Sequence, residues 1–217
     1  MAEKRMRATS VPVDDSVVRV PGLSHHAARF ASILIHPAVV MAVAATIAAG
    51  ASKGEGELVW RAPAVAVAAA VVVMLYSGWQ ARSGRWSHID ASQVHERSQL
   101  NRFASGVLLA LAAVLAATGS HPAIVIAIAL SGLIVLIAQL LRGRLKSSLH
   151  AAFAAFAACI VWPHPWAFVA LLLATVVVAW SRLVLRRHDV SELVVGAVIG
   201  LACGGLNNLL VAAFASA

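Results

Sequence analysis

The chain has 217 residues, of which 61% are hydrophobic and only 12% are charged, with a formal net charge of +8. Soluble domains carry about 25% charged residues, so this composition excludes a disordered chain and argues against a water-soluble globular domain. Two cysteines exclude a disulfide scaffold, and the class that remains is a membrane protein of one domain, or at most two.

Residues 1–27 are polar and hold Pro12, Pro21, Gly22 and Asp14-Asp15. They read as a loose tail with a short surface helix near its end, ahead of a transmembrane domain over 28–217. The tail has no compact apolar core with a cleavage site, unlike a cleaved signal peptide. Apolar runs follow near 31–50, 61–79, 103–119, 122–141, 149–163, 166–184 and 192–214. A spanning helix needs about 20 residues, so the expectation is an all-α, multi-pass bundle of six to seven spans. The 149–163 run is the shortest of them.

Breaks between the runs carry Gly50 and Gly54, then Gly119 to Pro122, then Pro163-His164-Pro165. Proline favours such breaks because it lacks an amide donor and fixes φ. Trp60, Trp79, Trp162, Trp166 and Trp180 fall near span ends, the headgroup level where amphipathic rings settle. Gly196, Gly200 and Gly204 recur every fourth residue in the last run, a spacing that lets helices approach closely. Cys159 and Cys203 lie in apolar runs and read as small buried hydrophobes.

Alternating spans put all but Lys53 and Arg61 of the seventeen lysines and arginines on the side of the tail. The positive-inside rule makes that side cytoplasmic. Basic loops that build an anion site carry charge for chemistry and bear less on orientation; the basic residues of the tail are free of that objection.

Three polar segments share this side. They are Asp90 to Arg102, Arg142 to His150, and Ser181 to Glu192. Together they bring arginines, a lysine, hydroxyls and histidines to the ends of spanning helices. Arginine suits phosphate because its planar fork donates parallel hydrogen bonds, and a helix start at Ser148 adds free amides. His188 and Glu192 are four apart, on one helical face. A carboxylate on one imidazole nitrogen fixes the tautomer and makes the other more nucleophilic. His150 is then available as a general acid. Asp189 to Glu192 equally forms a capping box. Arg186-Arg187 reads as a topogenic anchor, and His25, His26, His36 and His88 as interfacial or solvated. His121 and His164 fall on the opposite face, and Asp90 either pairs with an arginine or caps a helix.

Ser181-Arg182, five residues, His188, three residues and an acid resembles the third signature of the type 2 phosphatidic acid phosphatase (PAP2) superfamily, with Glu192 where Asp is usual. Lys146-Ser147-Ser148-Leu149-His150-Ala151 resembles the second signature in its bacterial membrane subgroup. The first signature is degenerate: His95 stands six residues before Arg102 in place of Lys, Phe103 replaces Pro, and Arg97 is a second source of the missing cation. The resemblance covers residues 60–214, with motif order and spacing intact.

It implies an integral membrane phosphatase that hydrolyses a phosphomonoester or pyrophosphate of a polyprenyl lipid or glycerophospholipid. His188 would form a phosphohistidine, oriented by Glu192, with His150 as the acid. Arg182, Ser148, Arg102, Arg97 and Lys146 would hold the phosphate oxygens. The family uses no metal or other cofactor, and no metal-ligand spacing is present. The implied partners are a lipid phosphate and membrane lipid, not nucleic acid, in the cell (inner) membrane. Two rivals stay open: a phosphoryl or headgroup transferase of the same fold, and a non-enzymatic lipid-binding protein. A transporter would want ionisable residues or broken helices at mid-membrane, and the runs are almost free of charge.

Overall fold

The computed structural model describes residues 22–50, 56–87, 91 and 93–216, and these are all-helical. Eight helices follow in order: α1 (Leu23–Leu34), α2 (Pro37–Gly50), α3 (Gly56–Arg82), α4 (Val94–Ala117), α5 (Pro122–Leu141), α6 (Leu149–Ile160), α7 (Pro165–Val184) and α8 (Val190–Ala215). Proline opens α5 and α7 in the first helical turn, where its missing N–H costs nothing. The chain is already helical at Leu23, inside the stretch read as tail; residues 1–21 lie outside the described residues, as do His88 and Asp90.

Five helices (α3, α4, α5, α7 and α8) are long and apolar enough to cross a membrane. The run at 31–50 is not one straight span. It breaks at Ile35-His36 into α1 and α2, which meet at a 48° bend and bring the count to six if taken together. The 149–163 run is not a seventh. Its helix has twelve residues, about 18 Å against a hydrocarbon core of about 30 Å.

Instead α6 is the axle of the bundle. Ala151 to Ala158 are all buried, the pattern of a helix that is apolar all round. It packs against α8, α7 and α2, while α5 packs on α4 and α8. Phe153 and Phe156 of α6 join Ile124, Ile128 and Ile134 of α5, Leu108 of α4 and Cys203 of α8 in one apolar core. Cys203 is buried and Cys159 only partly so; neither forms a disulfide.

The α6–α8 seam explains the glycine repeat. A Cβ added at Gly196 would fall 3.1 Å from Ser148 N, and one at Gly200 2.9 Å from Ala152 C and closer still to its oxygen. At Gly204 the obstacle is the Cys159 side chain. The two backbones meet only because these positions lack side chains. Trp60, Trp79, Trp162, Trp166 and Trp180 are exposed near helix ends, whereas Trp86 is buried.

Candidate active site

The start of α6, the end of α7 and the start of α8 converge. Ser148 caps α6, its Oγ accepting from Ala151 N–H at 3.5 Å. Its own N–H donates to the Glu192 carbonyl at 3.0 Å, which ties α6 to the first turn of α8 just below Gly196. Ser148 is fully buried.

Glu192 gathers the next layer. Its Oε2 lies 2.7 Å from His188 Nδ1, 2.8 Å from Lys146 Nζ and 3.3 Å from the Asp189 N–H. The one carboxylate therefore caps α8 and holds the His188 ring at the same time. The extra methylene of Glu over Asp lets one oxygen reach both the N-cap amide and the imidazole. Because a carboxylate accepts, His188 Nδ1 carries the proton and Nε2 keeps the lone pair.

The turn that delivers His188 has no glycine to announce it. Leu185 ends α7 and Arg186 follows at φ 50°. Arg186 N–H donates to Leu183 O and Arg187 N–H to Arg182 O, both at 2.9 Å. This is the Schellman pattern, with arginine where glycine is usual. The left-handed conformation costs about 1–2 kcal/mol, offset by the two closing hydrogen bonds. It places Arg187 O within 3.4 Å of Lys146 Nζ.

Arg182 spans the gap to α6. Its Nη2 lies 3.2 Å from His150 Nδ1 and its Nη1 donates to Ser32 Oγ at 2.9 Å. A guanidinium only donates, so His150 Nδ1 accepts and Nε2 bears its proton. Arg182 and His188 line a cavity of about 460 Å³, together with Arg97, Lys146, Arg186 and Arg187. Five cations and one imidazole on a single hollow describe an anion site.

Burial pushes the His188 imidazole down from its usual 6.5 to about 4, against the opposing effect of the hydrogen bond it donates to Glu192, with Arg182 and Lys146 lowering it further. His188 is therefore neutral at pH 7, with the lone pair of Nε2 free of a proton. The unfolded chain binds the extra proton between pH 4 and 6.5, so folding stability should rise with pH across that window and level off above it. A histidine nitrogen NMR titration should place the His188 midpoint near 4; a midpoint near 6.5 would contradict this account of its burial.

Arg97 lines the cavity from the first turn of α4, which Glu96 ties to Ser87. Glu96, buried at the start of α4, accepts from Ser87 N–H at 2.7 Å and Gln93 N–H at 2.9 Å. Trp86 Nε1 donates to Gln99 Oε1 at 2.9 Å, and Tyr76 stacks on Phe103 at 3.8 Å. Arg102 lies elsewhere. Five residues on from Arg97, it points about 140° away around the helix, is exposed, and donates from Nε to Ser98 O at 3.4 Å. His95 is exposed as well. Of the predicted residues, then, Arg97, Lys146, Arg182 and His188 line the cavity; Glu192 stands behind His188 and Lys146, His150 behind Arg182, and Ser148 behind the Glu192 backbone, and Arg102 does not join them.

Sequence reasoning missed four residues. Arg186 and Arg187, read as anchors, line the cavity. Ser32 and His36 reach the site from the α1–α2 bend, Ser32 on Arg182 and His36 with its ring 5.4 Å from that of His150. His121 and His164 begin α5 and α7 at the far end of the bundle. Compared with protein-family models, with curated proteins and with solved structures, the chain matches none of them.

Proposed function

We propose that the chain is an integral membrane phosphatase of the PAP2 type, acting on the phosphomonoester or pyrophosphate of a polyprenyl lipid or glycerophospholipid. The observation that carries this reading is the His188–Glu192 pair at 2.7 Å on the wall of a cavity lined with cations. In it, Arg97, Arg182 and Lys146 hold the phosphate oxygens. His188 Nε2 attacks phosphorus as the bond to the lipid oxygen breaks. That oxygen leaves as the lipid alcohol, or as the lipid monophosphate when the substrate is a pyrophosphate, taking a proton from His150. Binding of phosphate draws Arg182 off His150 Nδ1 and so allows that ring to carry the extra proton. Water then attacks the phosphohistidine, His150 takes its proton, and inorganic phosphate leaves as the P–N bond breaks. Spans that hold the substrate's tail in lipid would present its phosphate at headgroup level, at the ends of α6, α7 and α8. The excess of basic residues on this side supports a cytoplasmic face for the site.

The test is phosphate release by purified protein in mixed micelles with EDTA, across a panel of polyprenyl and glycerolipid phosphates. Release from one class is expected. No release from any of them by folded protein would contradict hydrolysis; transfer to an added alcohol acceptor would then point to the transferase. Within that assay Arg97→Ala should lower kcat/KM by about 10- to 100-fold, the effect of one charge-assisted hydrogen bond, while Arg102→Ala should change it less than about threefold. Equal losses would contradict the assignment of Arg97.

A further inference from the structure

The bend between α1 and α2 sits over the site, and two of its side chains close on residues assigned there. Ser32, buried near the end of α1, accepts from Arg182 Nη1 at 2.9 Å. His36 opens α2, its Nδ1 accepting from the Ala38 N–H at 3.3 Å. That bond fixes the ring, which meets the His150 ring edge to face at 89° and 5.4 Å. Since Arg182 Nη2 is on His150 Nδ1, a continuous chain runs Ser32, Arg182, His150, His36. It begins and ends in the same bent segment. α1 packs along α7 and α2 along α6, so each partner is held by the helix that abuts it.

We propose that Ser32 and His36 are positioning residues: Ser32 aims the Arg182 fork and His36 holds the His150 ring. The inference rests on the phosphatase reading for what those two residues then do. A guanidinium with both arms already engaged is ordered before phosphate arrives, so less freedom is lost on binding. Once phosphate has drawn Arg182 off Nδ1, the His36 ring edge still holds the His150 ring with Nε2 aimed at the leaving oxygen, where a misplacement of about 1 Å can cost 10²-fold.

Crossed substitutions separate positioning from folding. Ser32→Ala should raise KM about tenfold with little change in kcat, and Ser32→Thr, which keeps the hydroxyl, should restore it. His36→Asn keeps a side-chain acceptor for the Ala38 N–H but lacks the ring, and its kcat should fall about tenfold at unchanged thermal stability. His36→Phe keeps a ring but loses the cap; it should be less stable and recover most of kcat. A merely structural role predicts the reverse order for this pair. In parallel, histidine nitrogen NMR of the phosphate-free protein should show His150 Nδ1 as an unprotonated acceptor, shifted in Ser32→Ala and His36→Asn. Wild-type kinetics and unshifted His150 signals in both variants would overturn the proposal while leaving the phosphatase reading intact. If wild type releases no phosphate, that reading fails instead. The NMR arm then decides alone: shifted signals support the positioning contacts and unshifted ones overturn them.

Discussion

His188→Ala should release phosphate at least about 10⁴-fold more slowly than wild type, since removing a nucleophile that acts as one unit with its partners costs the whole covalent route. The fold should tolerate the change. His188 lies in the turn between α7 and α8, its neighbours are held by the Schellman bonds, and the Ser148–Glu192 backbone bond does not involve its ring. Thermal unfolding in detergent should therefore shift by only a few degrees. Glu192→Gln probes the layer behind. The amide still fits the space, but it loses the charge that holds both His188 and Lys146. A loss of about 10²- to 10³-fold is expected, mainly in kcat, within the range for a group that orients and assists a base. A Glu192→Gln enzyme as slow as His188→Ala, but with lost secondary structure, would instead make Glu192 a capping residue only.

Gly200→Ala should produce the largest loss of stability from a single methyl group. The added Cβ meets the backbone of Ala152, which cannot rotate away. α6 and α8 must separate, and overpacking of this kind costs about 1–3 kcal/mol or more. The seam also carries the site, since Ser148 at its upper end caps α6 and bonds to α8. Phosphate release should therefore fall together with the unfolding temperature. Gly204→Ala should cost less, because part of its obstacle is the Cys159 thiol. Gly205→Ala, which meets nothing within 4 Å, is the control and should be as stable as wild type or slightly more so. Equal melting temperatures for the variants at 200 and 205 would contradict the close seam.

Much of this architecture was legible in the sequence because lipid imposes simple rules. Apolar length gave the long helices, prolines gave the starts of α5 and α7, and the four-residue glycine spacing gave the close seam. The pairing of His188 with Glu192 was legible from their four-residue spacing, although only Glu192 is helical and His188 lies in the turn just before α8. What escaped depends on packing between distant segments. Hydropathy does not distinguish a helix bathed in lipid from one buried among helices, so α6 read as a span. Ser32 touches Arg182 across 150 residues of chain, and no local pattern encodes such a contact. Arg97 and Arg102 were both read as phosphate ligands from spacing, whereas the angle around α4 puts only Arg97 on the cavity wall. Arg186 adopts a left-handed turn that composition would assign to glycine.

The stereochemical course at phosphorus tests the central claim most directly. A lipid thiophosphate made chiral with two oxygen isotopes would be hydrolysed by the wild-type protein in water of the third isotope, and the configuration of the released thiophosphate determined. Attack by His188 followed by attack of water is two in-line displacements, so the account predicts net retention. Inversion would mean that water attacks the lipid phosphate directly, and would contradict a phosphohistidine at His188.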